Sequence, residues 1–130
     1  MAKRGSAKDL SVRQEDDIAR MFGGERSKSS GAAEHDAGDV RCQYLLIECK
    51  VRMPDHKAIL TRPMPTFVRQ LEKVAVEAWE SGKDPLLSLR YYSPDSPLAN
   101  TDGWVDIAVM RAQDAADREE AYEAARQAAA

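Results

Sequence analysis

The segment VRCQYLLIECKVR, running from Val40 to Arg52, decides how the chain is read. Its β-branched and aromatic residues favour extended backbone, and Cys49 and Val51 continue beyond its most apolar stretch. The pattern predicts two strands meeting around residues 42–44, or one long bent strand, centred on residues 44–52. Side chains alternate along a strand, so Glu48 and Lys50 share one face while Cys49 turns the other way into the core. A carboxylate and an ammonium are thereby set side by side.

Upstream, Ser11 and Gln14 have the spacing of a capping box, and Val12, Ile18, Ala19 and Phe22 form part of one apolar face. A helix is predicted over 12–22, with Glu15, Asp16 and Asp17 in its early turns and Gly23-Gly24 as its stop. Residues 1–10 read as a flexible basic arm. The Gly/Ser-rich stretch GGERSKSSGAAEHDAGD reads as a loop carrying Arg26 and Lys28.

Downstream, Pro54 closes the strand region, and a loop or short strand near 57–62 leads to Pro63 and Pro65. Thr66 is placed to cap a helix over 67–81, whose apolar face comprises Phe67, Leu71, Val74, Ala75, Ala78 and Trp79, with Gly82 at its exit. Strands follow at LLSLRYY (86–92) and GWVDIAVM (103–110), separated by a turn rich in Pro, Asn and Asp. The end, AQDAADREEAYEAARQAAA, is a strong helix former by composition, with little to bury at its outer end. The expectation is one mixed α/β domain: an arm at 1–10, a core at 11–111 and an acidic, Ala-rich helix at 112–130.

At 130 residues the chain suits one domain better than two. Apolar residues make up 43% of it but aromatics only 6%, so aliphatic side chains must do most of the packing. The net charge of -3 is unevenly spread: residues 1–111 hold 17 basic and 17 acidic side chains, residues 112–130 two and five. A neutral body suits DNA if its bases cluster on one face and a cation neutralises its carboxylates; it equally suits an ordinary mixed surface. Cys42 and Cys49 lack a CxxC spacing and read as buried thiols rather than a zinc site or disulfide. No apolar stretch reaches the roughly 18–20 residues that cross a membrane. The basic start leads into a polar segment, unlike a signal peptide, and the expected location is cytoplasmic (the host cytoplasm for a phage-encoded chain).

The chemistry concentrates in Gly38-Asp39, followed nine residues after Asp39 by Glu48-Cys49-Lys50. That interval leaves little room for a hairpin. If Asp39 begins the neighbouring strand, its carboxylate reaches Glu48. Two carboxylates and a backbone carbonyl make a hard oxygen site suited to Mg²⁺. Such an ion polarises a phosphate and activates water, and Lys50 would stabilise the charge that develops. Glu15 would assist if the first helix packs across the sheet edge. A plain surface ion pair between Glu48 and Lys50 is the competing structural reading.

The stretch Ser11–Arg52 resembles the nuclease core of the PD-(D/E)XK superfamily, specifically the small Holliday-junction resolvases of archaea and phages. Members carry an early helical Glu, a Gly/Arg-rich loop ending in Ser-Gly-Ala or similar, then an Asp and an E-x-K pair. Here these are Glu15, GGERSKSSGA at 23–32, Asp39 and Glu48-Cys49-Lys50. TFVRQLEKVAVEAWESGKDPLLSLRYY resembles the helix and strand that complete such a core, and the likeness spans roughly residues 11–110.

The resemblance implies a restriction-endonuclease-like fold with a mixed central sheet flanked by helices. It also implies a homodimer that places paired nicks in branched DNA using Mg²⁺, with Mn²⁺ able to substitute. The catalytic set would be Glu15, Asp39, Glu48 and Lys50. The metal ligands would be Asp39, Glu48, Glu15 and the Cys49 carbonyl. Arg26 and Lys28 would hold phosphates from their loop, and Ser30 would donate to one. Arg13 and Arg20, seven apart on one helix face, are further DNA contacts. Flap, mismatched or duplex DNA are alternative substrates, and a non-enzymatic DNA-binding or assembly protein is the alternative from another class.

Other residues carry weaker signals. His35 lies among Glu34, Asp36 and Asp39 without a recognised ligand spacing and reads as a surface residue. Gln70 is a candidate to orient Lys50 or water. Arg62, Arg69 and Lys73 form a basic stripe or a solvated face, Trp79 a core or dimer-interface residue, and Trp104 and Asp106 structural residues.

Overall fold

The computed structural model describes residues 7–27, 39–52 and 64–130. In chain order its elements are helix α1 (Ala7–Phe22), strands β1 (Glu25–Arg26), β2 (Val40–Arg41) and β3 (Leu45–Arg52), helix α2 (Met64–Glu80), strands β4 (Asp84–Tyr92) and β5 (Trp104–Val109), and helix α3 (Ala112–Ala129). The five strands form one sheet in the order β1-β2-β3-β4-β5. Only β3 and β4 are parallel, from Leu45↔Asp84 to Arg52↔Tyr91. The other pairs are antiparallel, so the sheet is mixed and the α/β expectation holds.

The Val40–Arg52 run breaks where expected. The Cys42 N–H donates to the Leu45 carbonyl at 2.9 Å, closing a tight turn between β2 and β3. The hairpin fits the short interval because β2 has only two residues.

Helices cover both faces of the sheet. Ile18 and Ala19 of α1 pack with Val40, Cys42, Leu45, Ile47 and Leu86. On the other face, Val74 and Ala78 of α2 pack on Leu46, and Phe67 and Leu71 lie against Leu87, Leu89, Tyr91 and Val105. Alternate residues of β3 and β4 thus enter opposite cores, which is why Pro85–Tyr91 is buried throughout. Each fully buried Leu or Ile contributes roughly 1.5–3 kcal/mol.

The exits of α1 and α2 both use glycine. Gly23 and Gly82 have φ of 67° and 70°, and the next amide in each case reaches back five residues, Gly24 to Ala19 and Lys83 to Ala78. A side chain at Gly24 would meet the Arg41 carbonyl and Cys42 Sγ at 2.6 Å, so glycine there also lets α1 lie close to β2.

The helix starts differ from expectation. α1 begins at Ala7, inside the segment read as an arm, so Ser11 is interior and caps nothing. Gln14 instead faces the sheet and is fully buried. α2 begins at Met64, ahead of Thr66, and its early Pro65 lies in the first turn, where a missing N–H costs nothing. Trp79 is 52% exposed and lies under the Arg111 guanidinium at 5.1 Å, which corrects the core half of its reading. Ala78, one residue earlier, takes the inward position. α3 is held by Arg118, which donates to the Tyr44 carbonyl and to Asp84, and by Arg111 at its start, which lies over Trp79 and pairs with buried Asp114. Its remaining turns are exposed.

Both cysteines are free, Cys42 buried and Cys49 partly so. Among the described residues no helix is long and apolar enough to cross a membrane. Lys28, Ser30, His35 and Arg62 lie outside the described residues.

Candidate active site

Asp39 stands at the entrance to β2. Its N–H donates to the Ile47 carbonyl at 2.9 Å, and its Oδ2 accepts from the Cys49 N–H at 2.8 Å. Asp39 thus grips β3 on either side of Glu48. Burial, with the Glu48 charge behind it, raises Asp39 above the usual carboxylate range against the pull of the Cys49 N–H and Lys50.

Lys50 Nζ lies 3.1 Å from Glu48 Oε1, as expected for neighbours on one face of a strand. Cys49 turns the other way and packs against the core beside α1. Burial first, then Asp39, Glu15 and Glu48, push its thiol up, which favours the protonated form.

Glu15 comes from α1. It is 5% exposed, and its Oε1 is buried without a hydrogen-bond partner. Burial and, next, the charge of Asp39 raise its pKa from 4.5 to about 7, with Arg26 opposing. Arg26 Nη1 lies 4.0 Å from Glu15, and its Nε lies 3.5 Å from Asp16. The structure therefore gathers Glu15, Arg26, Asp39, Glu48 and Lys50. It leaves Arg13 apart: two residues from Glu15, it projects about 200° away around the helix. There it pairs with Asp102 at 3.5 Å, on an exposed surface shared with Arg20.

No three His, Cys, Asp or Glu side chains among the described residues are grouped to hold a metal ion. The assembled donor unit is smaller: Asp39, Glu48 and the backbone beside them. It fits a hard dication that keeps several waters and takes one or two carboxylates from the protein. Two observations support that fit. Asp39 is crowded by the charge of Glu48, which a cation would offset, and the buried Glu15 Oε1 has no hydrogen bond and only Arg26 Nη1, at 4.0 Å, for a positive neighbour. Such perturbed carboxylates cluster at functional sites more often than elsewhere.

Several residues escaped sequence reasoning. Gln14 Nε2 donates to the Lys50 carbonyl at 3.1 Å and to the Ser88 carbonyl at 3.3 Å. Ser27 donates its N–H to the Asp39 carbonyl at 2.9 Å, while its own hydroxyl is buried and unpartnered. Arg90, only 2% exposed, pairs with Asp106 through two bonds of 2.7 and 2.8 Å and with Asp17 at 2.8 Å. Its guanidinium lies 5.6 Å from the Trp104 ring, so Trp104 and Asp106 have the structural role expected. A lone Arg inside LLSLRYY, with one Asp inside WVDIAV, was the available signal. Gln70, by contrast, makes no hydrogen bond to Lys50.

Set against known protein families, curated proteins and solved structures, the chain matches none of them.

Proposed function

We propose that this protein is a metal-dependent DNA endonuclease with a restriction-endonuclease-like core of the PD-(D/E)XK kind, acting as a homodimer on four-way junctions. The observation that carries the reading is the grip of Asp39 on both sides of Glu48, with Lys50 3.1 Å from Glu48. The sequence resemblance names the same residues, and the mixed sheet with a helix on each face suits that core.

Asp39, Glu48 and the Cys49 carbonyl would hold Mg²⁺, with Glu15 in support. When bound, the ion polarises the scissile phosphate and lowers the pKa of an attacking water. Lys50, already beside Glu48, orients that water and meets the negative charge building on the phosphate. Arg26 leaves its carboxylate partners for the DNA backbone.

The alternative, a non-enzymatic DNA-binding or assembly protein, draws on the same ion pair: charges satisfied by each other need no ligand. The deciding test is cleavage of a labelled four-way junction and a matched linear duplex with Mg²⁺, comparing the native chain with Glu48→Gln and Lys50→Ala. Junction-selective cutting, lost by about 100-fold or more in both variants, is expected. Cutting of both DNAs would leave a nuclease without junction preference. Binding without cutting, across metal and salt conditions, would favour the non-enzymatic protein.

A further inference from the structure

Glu15 occupies an unfavourable place. Its carboxylate is almost wholly buried beside Asp39 and Glu48, and its Oε1 has no hydrogen bond, only Arg26 Nη1 at 4.0 Å. A helix free to turn by a few degrees would carry that carboxylate toward water, where a charge is far better solvated. Something must hold α1 in register.

Two tethers on α1 do so. Gln14 is fully buried, and its amide donates to the carbonyl of Lys50 on β3 and that of Ser88 on β4. Three residues on, Asp17 Oδ2 accepts from Arg90 Nη1 at 2.8 Å. Arg90 is itself locked by its two bonds to Asp106, its partner across the β4–β5 ladder. Gln14 and Asp17 share one face of the helix by their spacing, and Glu15 lies between them in sequence. One tether ends on the residue that supplies the candidate catalytic ammonium.

We propose that Gln14 and Asp17 are positioning residues, which tie α1 to β3 and β4 so that the Glu15 carboxylate stays in the candidate site. The tethering stands on these contacts, while its catalytic consequence rests on the nuclease reading. A merely structural role would lower stability equally whatever residue stands at position 15. A positioning role couples the two positions, because a released helix no longer forces Glu15 into the carboxylate cluster.

The experiment is a double-mutant cycle on the full chain, read by thermal unfolding at pH 8 without divalent cations and then by cleavage kinetics. Glu15→Gln removes a buried charge and is expected to raise the unfolding midpoint by about 4 °C. In the Asp17→Asn background that gain should fall to about 1 °C or less. Equal gains in the two backgrounds would overturn the proposal. Gln14→Met provides the same comparison should Asp17→Asn fail to fold. With Mg²⁺ and a four-way junction, Asp17→Asn should lower kcat about 10-fold with little change in KM, and should add nothing once Glu15 is Gln. Coupling in unfolding without cutting by the native chain would remove the nuclease reading and keep the tether. Cutting without coupling would do the reverse.

Discussion

Two buried polar groups lie against α1, and they differ in whether their hydrogen bonds close. Around Arg90, three guanidinium nitrogens meet Asp17 and Asp106 at 2.7–2.8 Å, and the plane rests near Trp104. Around Asp39, carboxyl groups crowd one another, a Glu15 oxygen has no hydrogen bond, and Ser27 has an unpartnered hydroxyl. Buried polar networks that are fully satisfied rigidify a core, whereas one left open is costly. Burial alone therefore does not identify a site. The accounting of partners does.

The sharpest way to break this comparison is to open the closed cluster. Arg90→Met strands the charges of Asp17 and Asp106 and should cost about 3–5 kcal/mol, read from urea unfolding. A loss under 1 kcal/mol would mean the triad is not the closed unit described. Filling the open cluster should do the opposite. Mg²⁺ at about 100 times its dissociation constant should stabilise the native chain by roughly 2–3 kcal/mol, and Asp39→Asn should abolish the effect. An unchanged response in Asp39→Asn would move the ion elsewhere.

The clusters should also respond to pH with opposite sign. Glu15 titrates near 7 when folded against 4.5 when not, so the native state binds more protons between these values. Without metal, its contribution is fully present below pH 4.5 and is lost as pH rises through 7, on the order of 1–2 kcal/mol. Glu15→Gln should flatten that slope. For Asp17, burial opposes the charge, but Arg90 and Arg20 prevail and lower its pKa below the usual 3.8. Its contribution is present above 3.8 and is lost as pH falls through the lower folded value. Unfolding curves from pH 3 to 8 should show both limbs, and Asp17→Asn should remove only the acid one.

The smallest effects belong to the rim. Arg13→Ala breaks an exposed pair with Asp102 and should change stability by about 0.5 kcal/mol or less, as should removal of residues 120–130 from the exposed end of α3. If Arg13→Ala weakens DNA binding while stability holds, the exposed face shared with Arg20 joins the DNA surface. Unchanged binding would confine the contacts to the side of α1 that carries Glu15 and Arg26.

Periodicity alone determined a good deal of this protein. The two-strand reading of Val40–Arg52, the shared face of Glu48 and Lys50, the glycine stops at Gly23 and Gly82, and both C-terminal strands were legible because each depends on neighbours within a few residues. Local patterns also misled: Ser11 and Gln14 have the spacing of a cap, yet Gln14 serves strands 36 and 74 residues away. Only the tertiary structure decided that Asp39 reaches around Glu48, that Glu15 is buried among carboxylates, and that Arg90 joins α1 to β5. Charge in a sequence carries no sign of its eventual burial. The sheet sets that, by choosing which distant groups share a space from which water is excluded.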